Sequence, residues 1–197
     1  MKPAALGFRV HSGWTALVAV SLENGSPKVL LRSRPHLVRS FTREFRQPYH
    51  AVEKKPLAQA EAFIARVESE AREIASQAFD AARRELNGQD YELDRCALLL
   101  AAGRPLPELA RILASHALIH TADGELFRKG LLDAGALLGM RPFTLKENAL
   151  LETAAQTLQI PAEELKHRMT ALGAGLGPPW SQDEKYSALA AWLALKN

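Results

Sequence analysis

Residues 95–128, RCALLLAAGRPLPELARILASHALIHTADGELFR, read as a buried strand that stops sharply and gives way to helix. Cys96 to Ala102 is a short apolar run of strand length. Gly103-Arg104-Pro105 ends it, because glycine and proline punctuate regular structure. A helical pattern from about Pro107 to Ile119 then carries His116 and His120. Thr121 to Gly124 reads as a break. Beyond it a helix from about Glu125 to Leu138 would bury Leu126, Phe127, Leu131, Ala134 and Leu138, stopping at Gly139.

Working back toward the N-terminus, residues 5–38 read as a three-stranded antiparallel meander. Ala5 to Val10 makes a short strand, His11-Ser12-Gly13 a turn, and Trp14 to Leu22 a second strand rich in apolar and β-branched residues. Asn24-Gly25 is the dipeptide that accepts positive φ at both centres of a type I′ hairpin turn. The third strand contains Val29 to Leu31 and extends toward Val38, with Pro35 marking an edge or a bulge. Residues 39–55 read as an irregular loop in which Phe41, Arg43, Phe45, Arg46, Tyr49 and His50 alternate. Aromatics among arginines suit base stacking and phosphate pairing, but a loop pinned to the core by its rings is the simpler reading. Residues 57–87 form the longest helix, with Leu57, Phe63, Ile64, Val67, Ile74, Phe79 and Leu86 on one face and a solvated, charged face opposite.

Toward the C-terminus, Phe143 to Lys146 is a short strand, followed by helices at about 147–158 and 162–172. Pro161 stands at a helix start, where its missing N–H costs little. Gly173 to Pro179 is a connector, with neither the dinucleotide-binding nor the P-loop glycine spacing. Ser181 with Glu184 forms a capping box that opens the last helix, which runs to about Leu195. The element order is β-β-β-α-β-α-β-α, an α/β fold with a mixed sheet and helices packed on both faces.

A chain of 197 residues, 47% apolar and 24% charged, has the balance of a globular protein and the length to bury a core in one domain. A net charge of +3 and a pI near 9.1 permit an acidic partner such as nucleic acid. The single Cys96 excludes an internal disulfide and, inside an apolar run, reads as a buried thiol suited to a reducing compartment. No apolar run approaches the roughly 20 residues of a membrane span, and MKPAALGFRV lacks a signal-peptide pattern. The expectation is a cytoplasmic protein with no membrane attachment.

The order of elements, the hairpin ALGFRVHSGWTALVAV at residues 5–20, and a closing helix with Asp183 ahead of Ala188-Leu189-Ala190-Ala191 together resemble the ribonuclease H-like fold, notably Holliday-junction resolvases. The resemblance implies a nucleic-acid or nucleotide partner bound near the ends of the first and central strands. It also implies a carboxylate cluster holding two divalent metals, since Mg²⁺ prefers anionic oxygen. Here the chain departs from the pattern. The position after Gly7-Phe8 is Arg9, and the end of the central strand is Leu99-Leu100-Ala101-Ala102. Only Asp183, with Glu184 as a nearby substitute, matches a family acid. A guanidinium in place of a metal ligand repels the cation, so two-metal nuclease activity is not expected.

Several constellations remain. His116 and His120 are spaced i, i+4 on one helix face, and with Glu125 or Asp123 they suggest a two-His, one-carboxylate site for a divalent metal or for a hydrolase working without one. His11-Ser12 reads as a turn that can also offer phosphate donors. Arg9, Arg104, Arg111 and Arg128 would bind phosphate if they converge at the strand ends, where open α/β sheets place ligands. Asp183 is explained by the dipole of the final helix, whereas Lys185 in the same turn is less expected and reads as facing a pocket. The leading expectation is a ribonuclease H-like protein binding nucleic acid or a phosphorylated ligand, with His11, Ser12, Arg104, Arg128, Asp183 and Lys185 around it. Alternatives are a hydrolase using His116, His120 and Glu125, or a non-catalytic module that docks a protein partner or a second copy of the chain.

Overall fold

The structure is a computed structural model that describes residues 1–101, 103, 105–140 and 142–197. Arg104, expected at the ligand site, lies outside the described residues. Five strands form one mixed sheet in the order β3-β2-β1-β4-β5. Strands β1 (Lys2–His11), β2 (Trp14–Glu23) and β3 (Ser26–Ser33) make the expected antiparallel meander. Asn24 and Gly25 take φ of 51° and 80°, the positive pair that the type I′ turn requires. Strands β4 (Tyr91–Leu100) and β5 (Phe143–Lys146) add in parallel on the other side of β1.

β1 starts three residues earlier than expected, at Lys2, and two further boundaries differ for physical reasons. β3 stops at Ser33 rather than running toward Val38. Pro35 has no N–H to donate, and beyond it only an isolated Trp14–His36 bridge holds the chain to β2. β4 begins at Tyr91, five positions before the apolar run, because Tyr91 and Leu93 are buried between exposed Glu92 and Asp94. The register shifts there: Ala4 pairs with Leu93 and Ala5 with Arg95, so Asp94 is the extra residue of a β-bulge.

Helices cover both faces. On one lie α1 (Arg43–Arg46), α2 (Pro48–Val52), α3 (Leu57–Asn87), α4 (Leu109–Leu113) and α5 (His116–Leu137). The buried stripe of α3 (Ala60, Ile64, Val67, Ala71, Ala75, Phe79, Ala82 and Leu86) meets Leu6, Phe8 and Leu98 of the sheet. The loop at 39–55 thus contains two short helices, anchored by buried Tyr49 and Val52. The break expected at Thr121–Gly124 is absent. It falls instead at Ala114-Ser115, and α5 runs unbroken through Asp123-Gly124. A turn-forming Asp-Gly pair is overridden because Asp123 is needed inside, where it is 2% exposed and bonded to α2.

On the other face lie α6 (Leu150–Leu158), α7 (Ala162–Leu172) and α8 (Gln182–Ala194), with a 3₁₀ turn at Glu147–Ala149 after β5. Every residue from Ser187 to Ala194 is buried, as in a helix covered on all sides. A Cβ on Gly7 would lie 1.8 Å from the Ser187 carbonyl oxygen, so glycine is what lets α8 rest directly on β1. That contact sets the height at which the N-terminus of α8 meets the end of the sheet.

Candidate functional site

The alternation of β1 sends Ala5, Gly7, Arg9 and His11 toward α8. Arg9 is the side chain that organises the strand ends. Its Nη2 and Nε donate to Glu147 Oε1 and Oε2 at 2.7 and 2.9 Å, a bidentate pair, and Nη1 donates to Asp183 Oδ1. His11 Nε2 lies 2.8 Å from the same Asp183 oxygen. Glu147 comes from the turn just after β5, and Asp183 from the first turn of α8. Burial alone would raise the Asp183 carboxyl, but the bonds from His11 and Arg9 outweigh it and hold it below its ordinary value. Glu147 raises Arg9 further against its own burial. Arg9 and Asp183 are therefore both charged throughout the neutral range.

This arrangement does not fit the divalent metals that the fold resemblance implies. Both oxygens of Glu147 and one of Asp183 are bonded to a guanidinium, which occupies with positive charge the space a cation would need.

The cluster continues along the hairpin end of the sheet. Arg34 donates to Glu184 at 2.6 Å and lies over Trp14, 5.2 Å from the ring, and His11 stacks on Trp14 at 4.3 Å. Glu184 is 1% exposed. Burial pushes its carboxyl up, but Arg34 and the Ser181 N–H and hydroxyl bring it below its usual value. Beyond Trp14, His36 stacks on half-exposed Phe41 at 3.9 Å, and the Arg46 guanidinium sits 4.7 Å from that ring. Residues 32–55 hold seven Arg or Lys against two acids, a net +5 in a chain whose total is +3. Charge and aromatic faces are concentrated in one segment.

On the opposite face, α5 and α2 bring three imidazoles together. His116 and His120 stand in the first two turns of α5 with their Nε2 atoms 3.1 Å apart. His50 of α2 joins them, and one ligating atom of each lies within 4.8 Å of the others. Asp123 fixes His50: its Oδ2 is 2.5 Å from Nδ1, while Oδ1 accepts the Tyr49 backbone N–H at 2.8 Å. Burial holds the Asp123 carboxyl above its ordinary value despite the bonds from His50 and Tyr49. The Tyr49 hydroxyl is pushed up to about 12 by burial, with Glu68 and Asp123 adding to it.

The remaining sequence candidates are dispersed. Glu125 does not join the imidazoles; it accepts from Arg128 at 2.9 Å, and its side chain lines a separate cleft of about 370 Å³ with Leu100, Lys129 and Lys146. Arg9 and Arg128 belong to opposite layers, so they do not converge. Lys185 donates to Thr170 Oγ1 at 3.2 Å beside a cavity of about 210 Å³ between α7 and α8. Ser12 stays in the hairpin turn beside His11. Sequence reasoning had not singled out Glu147, Arg34 or Trp14, and had placed His50 only among loop aromatics. Glu147 carried a signal, an acid directly after a strand end. His50 carried none, being 73 positions from the aspartate that orients it.

No protein-family model and no curated protein matches the chain. Solved structures do. RuvC of Thermus thermophilus in complex with a Holliday-junction substrate aligns over 98% of this chain and 92% of that one, with TM-score 0.55 and 10% identity. A second Thermus thermophilus RuvC structure aligns over 98% and 93%, with TM-score 0.51 and 10% identity. The fold is ribonuclease H-like.

Proposed function

We propose that this chain binds nucleic acid at the hairpin end of its sheet and does so without two-metal nuclease chemistry. The observation that carries the reading is the Arg9 guanidinium bonded to Glu147 and Asp183 at the strand ends. A side chain of this protein holds the carboxylates together, and α8 is thereby tied to β1 and β5. Next to this cluster, exposed His36 and half-exposed Phe41 offer aromatic surface, and the surrounding arginines offer charge for phosphates. The RuvC neighbour contains a Holliday-junction substrate, which agrees with the same class of partner.

The test is binding of labelled single-stranded, duplex and branched DNA, titrated across salt with Mg²⁺ or Mn²⁺ present. Affinity that falls steeply with salt and leaves the DNA intact is the expected result. Absence of binding at low salt overturns the binding reading. Cleavage that disappears in Asp183→Asn overturns the non-nuclease reading.

A second reading, hydrolysis at His116 and His120, is favoured by the approach of His50 to both. His50, His116 and His120 would hold a zinc-class ion, which would supply Lewis acidity for hydrolysis of a phosphate or ester. Turnover of a chromogenic phosphodiester by the zinc-loaded chain, lost in His120→Ala, is the expected result; no turnover retires it.

A further inference from the structure

We infer that His50, His116 and His120 form a zinc-class metal site with three protein ligands and an open fourth position. The site is on the sheet face opposite Arg9 and is independent of the nucleic-acid reading; the hydrolysis reading depends on it, whereas the site can hold metal without turning over substrate.

The donor set decides the class of ion. Three imidazole nitrogens suit Zn²⁺, Co²⁺ or Ni²⁺, whereas Mg²⁺ and Ca²⁺ require oxygen. The spacing also fits. Tetrahedral zinc with Zn–N bonds of about 2.0–2.1 Å sets its nitrogens about 3.3 Å apart. The His116 and His120 Nε2 atoms are 3.1 Å apart before any ion draws on them. The i, i+4 spacing on α5 supplies that pair, and His50 arrives from a different element.

Asp123 is the second observation pointing to a ligand. A histidine that ligates metal through one nitrogen commonly donates its other N–H to a carboxylate, which fixes ring and tautomer. His50 Nδ1 lies 2.5 Å from Asp123 Oδ2, and with Nδ1 donating to the carboxylate the Nε2 lone pair is left for an ion. The carboxylate is itself fixed by the Tyr49 N–H. It also offsets part of the charge of a cation close to the positive N-terminal end of α5. His116 and His120 are solvent-exposed, so a fourth ligand reaches the ion from water. Three protein ligands plus water is the arrangement of zinc sites that remain open to exogenous ligands. A simple hydrogen-bonded histidine pair would account for His116 and His120. It gives no reason for a third imidazole brought within ligating reach of both from another helix and held there by a carboxylate.

The experiment titrates the metal-stripped full chain with Co²⁺ and then Zn²⁺, following visible absorbance and stoichiometry. One equivalent of Co²⁺ with the intense bands of four-coordination, displaced by Zn²⁺, is expected. His116→Ala and His120→Ala replace exposed side chains and therefore retain the fold; each is expected to abolish stoichiometric uptake. His50→Ala should do the same, and Asp123→Asn should weaken binding roughly 10–100-fold. Glu125→Gln should bind as the parent does. No uptake by the parent overturns the site, as does uptake unchanged in His120→Ala. A loss in Glu125→Gln equal to that in His50→Ala overturns this ligand set. DNA binding is read separately, so either result leaves the nucleic-acid proposal to its own test.

Discussion

The acid cluster at Arg9 and the histidine cluster at Asp123 are built from similar parts and differ in what faces the carboxylate. In the first, Asp183 meets both a guanidinium and His11, and the cation is supplied by the chain itself. In the second, Asp123 meets a histidine whose ring packs edge-on against two more imidazoles. Acids and histidines together do not define a metal site. What decides is whether the protein has already supplied the positive charge. At Asp183 the bonds from His11 and Arg9 outweigh burial and hold the carboxyl below its ordinary value, whereas at Asp123 burial prevails and holds it above.

The largest effect should come from the contact that places Asp183. Gly7→Ala forces a Cβ into the Ser187 carbonyl and must lift α8, which should cost about 3 kcal/mol or more in urea unfolding and separate Asp183 from Arg9. Next, Arg9→Gln leaves Glu147 and Asp183 facing each other unpaired. A loss of about 2 kcal/mol is expected, smaller than for a fully buried pair because these groups are partly solvated. A variant as stable as the parent would mean that the guanidinium is only a surface partner, and the comparison would fail.

Acid separates the clusters by sign. Asp183 and Glu184 lie below their ordinary values of 3.8 and 4.5, so in the folded chain they hold fewer protons than in the unfolded chain. Their contribution is complete above those values and is lost as pH falls through and below them. Asp123 lies above 3.8, so its ionisation costs stability as pH rises through its folded value. Urea midpoints of the parent should drop between pH 5 and pH 3, and Arg9→Gln should drop less, because Asp183 loses part of its depression. The smallest effect is expected of Asp123→Asn. The amide keeps the Tyr49 N–H bond and removes a costly buried charge, so stability should stay within about 1 kcal/mol of the parent.

The fold was largely legible because its signals are local. Asn24-Gly25 specifies its turn by φ, Ser181 with Glu184 specifies a helix start, and the stripe from Ala60 to Leu86 specifies the buried face of α3. Expectations failed where a local signal was overridden from a distance. Asp123-Gly124 would turn in isolation and is helical because α2 uses the aspartate. The sites were less legible for the same reason. Arg9 in place of an acid was visible in the sequence, but Glu147, which completes its cluster, lies 138 positions away. His116 and His120 were visible as a pair, whereas Glu125 was preferred to His50 because it is close in sequence. Proximity in sequence said nothing about which side of α5 each group occupies.

The bulge in β4 bears on how this chain tolerates change in length. Losing a residue from a central strand normally reverses the in–out order of everything beyond it. Asp94 is the exception, since it is the surplus residue against β1. Without it, Tyr91, Leu93, Cys96, Leu98 and Leu100 would fall on one side in strict alternation, and Ala97 and Leu99 on the other, as they now do. The middle of the sheet thus contains one position where a codon can be lost in register with the fold, flanked by positions where the same loss would exchange its two cores.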